Sequence, residues 1–265
     1  MKEKMDIFIG PCVLESEKLA LEVADFLVKE LEPYKDKIQL NFKGSFDKAN
    51  RSSIDSYRGP GIDAGLKILE RVKKDYGLPT LTDFHSPEQA DLVASVVDTL
   101  QVPAFLCRQT DIIVEGAKAC KRYGGRLKVK KGQFLAPADT KNIVEKAANF
   151  ISLENILLTE RGTSFGYNNL IVDMASFQIM KSFGVKTIHD ATHCVQMPGG
   201  LGKSTGGKRD QIFTLAKAAA AAGADGFFME AHPDPEKALS DATSQLPLER
   251  VKELIDIILK IKEVV

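Results

Sequence analysis

Lys43, Lys48 and Arg51, with Ser52 and Ser53 beside them, crowd the exit from a short apolar run at 38–42. Arginine offers a planar fork that meets phosphate oxygens in pairs, lysine supplies a movable point charge, and the hydroxyls add short donors. This is the composition of a phosphate site; the plain alternative is a solvated basic loop. Arg108, Lys130 and Arg161 add more positive charge than one phosphate requires, so two anionic groups or two anionic substrates are expected. For each of these cations the competing explanation is an ordinary ion pair, such as one made by Glu160. Cys12, His193, Glu230 and Asp241 bring a third chemistry. Together they offer sulfur, nitrogen and carboxylate oxygen to a divalent transition metal such as Zn, Fe, Mn or Co, with availability deciding which. Singly they read as a buried thiol, a hydrogen-bonded histidine and surface charges, so only their joint placement makes a metal site. His232, two residues from Glu230, and Cys194, beside His193, are rival ligands. Cys107 and Cys120 read as packing residues.

The elements that must position these side chains follow one repeated pattern. Short apolar or β-branched runs recur at 6–9, 38–42, 80–82, 99–102, 127–129, 156–158, 186–188 and 226–229, with helical periodicity between them. Leu19, Val23, Phe26, Leu27 and Leu31 share a helix face, as do Leu248, Val251, Ile255 and Ile258. Ser86-Pro87-Glu88-Gln89 reads as an N-cap, a proline at the first helical position and a capping-box partner. The alanine run at 218–222 predicts a slim helix lying close against a sheet, stopped at Gly223. At 265 residues and 44% hydrophobic composition the chain can bury a large core. Eight strands alternating with helices, with no linker between them, predict one α/β domain over 1–265, a closed (β/α)8 TIM barrel; an open doubly wound sheet is the runner-up. A barrel demands that functional side chains gather where strands end. Cys12, Lys43, Asp83 with His85, Gln101, Lys130, Arg161, His193 and Glu230 all stand at or just after the proposed strand ends, and Asp241 falls on the loop leaving the last one.

Lys+Arg 36 balances Asp+Glu 36, so no global field exists to hold nucleic acid or an anionic membrane. No run approaches membrane-spanning length, the N-terminus lacks the pattern of a secretory signal, and four scattered cysteines suit reduced thiols in a cytosol. Gly199-Gly200-Leu201-Gly202-Lys203-Ser204-Thr205 is similar to a nucleotide P-loop. The pattern fails where it requires glycine and finds Met197, and Gly206-Gly207 follow where a helix should open. A glycine-rich lid over the barrel mouth is the better expectation.

Gly10-Pro11-Cys12 with Glu15-Ser16, the segments 43–53, 103–111, 130–133, 159–169 and 190–193, and Glu230-Ala231-His232-Pro233 together carry a family resemblance over nearly the whole chain. They resemble the 3-deoxy-D-manno-octulosonate 8-phosphate synthases, in the family that also contains the 3-deoxy-7-phosphoheptulonate synthases. The resemblance implies a (β/α)8 barrel that joins phosphoenolpyruvate to a phosphorylated aldose and releases inorganic phosphate. Ala49-Asn50-Arg51-Ser52 looks like the arabinose 5-phosphate version; the heptulonate enzymes, which use erythrose 4-phosphate, typically carry Lys-Pro-Arg-Thr there. Cys12, His193, Glu230 and Asp241 resemble the ligands of the metal-dependent branch, the other branch having Asn at the first position. By the same resemblance Lys130 and Arg161 clamp phosphoenolpyruvate with help from Lys43 and Lys48, while Asn50, Arg51 and Ser52 contact arabinose 5-phosphate. Arg108 is similar to a residue that reaches this phosphate from an adjacent subunit, which implies a homotetramer. Asp83, His85 and Gln101 match pocket residues, and Lys48, Asp83, His85 and Lys130 are expected at the reacting atoms. The metal would orient the aldehyde while Asp83 and His85 handle the proton of water. A product feeding lipopolysaccharide construction implies a bacterial-type cytoplasm. The lid departs most from the family pattern.

Overall fold

Strand β1 (Met5–Gly10) pairs in parallel with β2 (Ile38–Lys43) on one side and with β8 (Gly226–His232) on the other, so the sheet closes on itself. Between them the ring runs through β3 (Thr80–Asp83), β4 (Thr99–Val102), β5 (Arg126–Lys130), β6 (Ile156–Glu160) and β7 (Lys186–Asp190), every pairing parallel. Each strand is followed by its helix: α1 (Glu17–Leu31), α2 (Ile62–Tyr76), α3 (Ala90–Ala94), α4 (Thr110–Tyr123), α5 (Lys141–Ala148), α6 (Ser176–Lys181), α7 (Ile212–Ala221) and α8 (Val251–Lys262). This is the expected (β/α)8 barrel, and closure leaves no open edge of the kind a doubly wound sheet has. The computed structural model describes residues 4–198 and 206–265; the segment 199–205, expected as a lid, lies outside them.

Local chemistry starts and stops the helices. The Ser16 hydroxyl accepts the Leu19 N–H at 3.1 Å and caps α1, while α2 and α4 end at Gly77 and Gly124, whose φ of +65° and +72° most side chains avoid. Pro87 occupies the first position of a 3-10 turn leading into α3, but the expected capping box is not formed. The Ser86 side chain caps no backbone N–H, and Gln89 reaches one residue further back, to accept the His85 N–H at 2.8 Å. Gln89 thereby ties the turn to His85 itself. Ala216, Ala219 and Ala220 of the alanine-rich α7 are fully buried, as their lack of bulk predicts.

Strand periodicity divides each strand between two environments. Leu127 and Val129 of β5 face the apolar layer under the helices, whereas Lys128 points to the barrel interior, its ammonium 4.5 Å from the centre of the Phe228 ring and 5.5 Å from that of Phe8. Phe8, Leu81, Leu157, Ile188 and Phe228 form the apolar middle of the barrel. Burying each phenylalanine there contributes about 2–3 kcal/mol. Below them Asp6 accepts from Arg126 at 2.8 Å and from Lys186 at 3.3 Å, closing the N-terminal end with charge. At the other end Gly10 is obligatory, because a Cβ there would stand 1.9 Å from the Lys43 carbonyl oxygen. That close approach turns the chain so that Cys12 enters the barrel mouth.

Candidate active site

Four side chains from distant parts of the chain meet at the C-terminal mouth. Cys12 follows β1, Glu230 lies in β8, Asp241 is on the loop after it, and one ligand atom from each falls within 4.8 Å of the others. His193, just past β7, places Nε2 3.5 Å from Glu230 Oε1 and 3.6 Å from Asp241 Oδ2. Asp190 Oδ2 stands 2.9 Å from His193 Nδ1 and accepts its N–H, which turns Nε2 toward the cluster. The rival ligands face other groups, His232 turning its Nε2 toward Glu15 Oε1 at 3.7 Å. Cys194 donates to the Ala191 carbonyl at 3.4 Å, and His232 Nδ1 accepts the Asp234 N–H at 3.0 Å. Burial together with the Asp241 and Glu230 carboxylates pushes the Cys12 thiol well above its ordinary value, a load that a divalent cation would reverse. Glu230 Oε2 is buried with no hydrogen-bond partner. A soft sulfur, an oriented imidazole and two carboxylates with an unpartnered oxygen fit a transition-metal ion.

Cations ring these groups. Lys43 is fully buried at the end of β2 and donates to the Pro11 and Cys12 carbonyls, at 3.1 and 2.7 Å, and to Glu230 Oε1. It lines neither cavity described below, because as the last residue of an inward-facing strand it forms the floor. Lys48 Nζ lies 3.3 Å from the same Glu230 oxygen. Burial works to raise the Glu230 carboxyl, but His193, Lys43, Lys48 and Lys130 outweigh it and hold the group well below the usual carboxylate range. Ser53 turns away, its hydroxyl accepting the Asp55 N–H at 3.4 Å.

Two cavities open from this floor. One, about 410 Å³, is lined by Lys48, Asn50, Ser52, Asp83, His85, Gln101, Lys130, Arg161 and His193. Lys130 pairs with Asp190 at 2.8 Å and sits 3.9 Å above the Phe228 ring. Arg161 Nη2 donates to Gln196 Oε1 at 2.8 Å, and among the described residues its buried Nη1 has no partner, a donor left over for an anion. Gln101 Nε2 donates to Asp83 Oδ1 at 2.5 Å while its Oε1 accepts from Lys128 at 2.7 Å, so the lysine dictates which way the amide points. Burial raises the Asp83 carboxyl, yet Lys48, Lys43 and Lys130 carry it far below its ordinary value. Burial lowers His85, whose Nδ1 has no partner, so a neutral imidazole faces the cavity. The second cavity, about 320 Å³, is lined by Lys48, Asn50, Arg51, Ser52, Ser240 and Asp241 among others. Arg51 Nη1 donates to Ser240 Oγ at 2.9 Å. Arg108 is exposed and lines neither cavity. The ion pair anticipated for Glu160 exists, with the buried Lys131 at 3.4 Å.

Asp190, Lys128, Gln196 and Ser240 are the functional neighbours that sequence reasoning did not single out. Asp190 carried a signal, standing at a strand end three residues before His193. Lys128 carried another in the Arg126, Lys128, Lys130 alternation, which reads as a solvated face until the strand is known to be in a barrel. Gln196 and Ser240 carried none.

The fold and the mouth define a class: a barrel enzyme whose mouth holds two cation-lined cavities, with His193 lining both and Glu230 and Asp241 lining one each. The chain belongs to the DAHP synthetase I family, whose model matches residues 2–265. Among curated proteins it is 52% identical over 249 residues to the 2-dehydro-3-deoxyphosphooctonate aldolase of Trichlorobacter lovleyi, covering 94% of this chain and 89% of that one. The proteins of the same name from Albidiferax ferrireducens and Francisella tularensis subsp. holarctica are 49% and 50% identical, each match covering 97% of this chain and 90% of the relative.

Proposed function

We propose that the barrel mouth condenses phosphoenolpyruvate with D-arabinose 5-phosphate and water, giving 3-deoxy-D-manno-octulosonate 8-phosphate and inorganic phosphate. The observation that carries this reading is the pair of adjoining cavities, which share Lys48, Asn50, Ser52 and His193 and present separate cations, Lys130 with Arg161 in one and Arg51 in the other. The names of the relatives favour the octulosonate reaction over the heptulonate one.

Two anionic substrates repel each other, and separate clamps overcome that repulsion and fix the reacting carbons in contact, which removes on the order of several kcal/mol of barrier. Lys130 and Arg161, with Lys48, bind the phosphate and carboxylate of phosphoenolpyruvate. Asn50, Arg51 and Ser52 bind the pentose phosphate. Lys43 acts from beneath, holding Glu230 and the Cys12 backbone in place. The methylene carbon of phosphoenolpyruvate bonds to the aldehyde carbon, whose oxygen becomes a hydroxyl, and positive character develops at the enol-ester carbon. Water adds there, and the resulting phosphohemiketal expels phosphate as its carbonyl forms. The neutral His85 is the group able to take the proton of water, while Asp83, kept ionised and aimed by Gln101 and Lys128, stabilises the charge that builds. Cys12, His193, Glu230 and Asp241 would hold a divalent metal, which when bound supplies Lewis acidity to an aldehyde oxygen.

Assembly and location belong to the same reading. Arg108, outside both cavities of its own chain, would serve a neighbour in a homotetramer, and Phe105, Phe134 and Phe165, exposed by 54%, 59% and 67%, offer apolar area for such a contact. Four free buried cysteines accord with a reducing cytoplasm, and among the described residues no helix is long and apolar enough to cross a membrane. The product fits a role in lipopolysaccharide construction. The test is phosphate release from phosphoenolpyruvate in parallel tubes holding arabinose 5-phosphate, erythrose 4-phosphate or, without phosphoenolpyruvate, ATP alone. Rapid release only with the pentose phosphate is expected; preference for the tetrose phosphate or for ATP refutes the assignment.

A further inference from the structure

Ser240 stands between the two sites and has no role in the reading above. It is 2% exposed, and its Oγ lies 2.9 Å from Arg51 Nη1 and 2.9 Å from Cys12 Sγ. A guanidinium has hydrogens to give and no lone pair to offer, so it must take a lone pair of the hydroxyl. With Cys12 as a thiolate, the form in which it would bind a cation, sulfur has no hydrogen to give and the single Ser240 proton points at it. The guanidinium fixes the first bond of the relay Arg51 to Ser240 to Cys12, and the thiolate fixes the second. The backbone locks the same pair together, because the Ser240 carbonyl accepts from Gln245 Nε2 at 2.8 Å while Gln245 Oε1 accepts the Cys12 N–H at 3.3 Å. Arg51 also stands 3.9 Å from Asp241 Oδ1, and its own Nε is buried without a partner.

We propose that Ser240 is a positioning residue linking the sugar-phosphate contact Arg51 to the metal ligand Cys12, so that binding at either site changes affinity at the other. The proposal rests on the assignment of those two sites and deepens it. Its sign follows from charge. Without an anion, the guanidinium sets its positive charge against Asp241 and, through Ser240, against the sulfur, competing with a divalent cation for the same electron pairs. A phosphate on Arg51 offsets that charge and draws the guanidinium donors away, so the cation is held more tightly. Reciprocity requires the cation to tighten the sugar phosphate by the same factor.

The experiment is competition for cobalt(II) between the full-length protein and a chromophoric chelator, with and without arabinose 5-phosphate. The pentose phosphate is expected to tighten cobalt binding about 5-fold or more, within the usual range of site-to-site coupling. Ser240→Ala is expected to bind cobalt through the four remaining side chains with the coupling reduced below about twofold, and Ser240→Thr, which keeps a hydroxyl, to retain it. Full coupling in Ser240→Ala overturns the proposal, as does cobalt affinity in the natural protein indifferent to a pentose phosphate that demonstrably binds. Failure of the underlying site assignment looks different: no cobalt bound at all, or Cys12→Ala binding it as tightly as the natural protein.

Discussion

Lys128 and Lys130 lie two residues apart on one strand, both buried, yet their substitutions should have opposite consequences. Lys130 neutralises the fully buried Asp190 at 2.8 Å, and Asp190 in turn orients His193. Lys130→Met removes that partner from a charge that cannot reach water, and a loss of about 3 kcal/mol is expected together with near-complete loss of turnover. Among the described residues Lys128 pairs with no carboxylate; its side-chain nitrogen faces Gln101 Oε1 at 2.7 Å and two aromatic rings, and burial pushes it well below its ordinary value. Lys128→Met relieves that desolvation and leaves one amide oxygen unpaired, two effects of about 1–3 kcal/mol that oppose each other. Its urea midpoint should therefore stay close to that of the natural protein while turnover falls, because Gln101 is free to rotate away from Asp83. Equal destabilisation of the two variants would contradict this distinction.

Among the elements, β7 carries functional groups on both of its faces. Asp190 points to the mouth, but His189 points outward into the helical layer, its ring edge-on to Phe177 and Phe227 at 5.8 and 5.9 Å. Burial lowers His189 from 6.5 to about 4. The folded protein thus refuses a proton that the unfolded chain accepts below about pH 6.5, and stability should fall by about 3 kcal/mol as pH drops from 6.5 to 4. The carboxylates of Asp83, Asp190 and Glu230, all held below their ordinary range, keep their contribution above about pH 5 and lose it progressively below that. Urea unfolding across this range should show the slope, and His189→Leu should flatten it; an unchanged slope would assign it to other groups. The eight barrel strands were legible because each is a short apolar run between helical periods, and the structure extends most of them by a residue or two. The polar residues at their C-terminal ends interrupted the apolar pattern, which is why Asp190, Glu160 and Lys130 were left outside the expected spans. Ser86 misled for a local reason: the Gln89 amide oxygen accepts the His85 N–H in place of the Ser86 N–H.

For the whole molecule, barrel closure is what turned scattered residues into a site. Cys12 and Asp241 are separated by most of the chain yet lie 3.6 Å apart, Sγ to Oδ2, a proximity that strand order predicts and spacing alone does not. What stayed hidden is whatever depends on side-chain direction, such as Lys43 forming the floor and Ser240 standing between two sites. Subunit assembly is open to a complementation test. If each site draws Lys130 from its own chain and Arg108 from a neighbour, Arg108→Ala should raise the KM for arabinose 5-phosphate about 10-fold or more with little effect on phosphoenolpyruvate. Mixing Arg108→Ala with Lys130→Met subunits should then restore turnover at a low arabinose 5-phosphate concentration, where neither variant works well alone, and no recovery on mixing would place Arg108 outside any neighbour's site.

If a thiol, an imidazole and two carboxylates hold a metal beside paired anion pockets and serve the condensation of phosphoenolpyruvate with a pentose phosphate, turnover depends on that metal. This dependence is tested most directly by following arabinose 5-phosphate-dependent phosphate release after exhaustive chelation and again after adding cobalt(II), for the natural protein and for Cys12→Ala. Turnover is expected to be lost on chelation and recovered with cobalt, with neither activity nor recovery in the variant. Undiminished turnover by protein assayed free of metal would contradict this dependence.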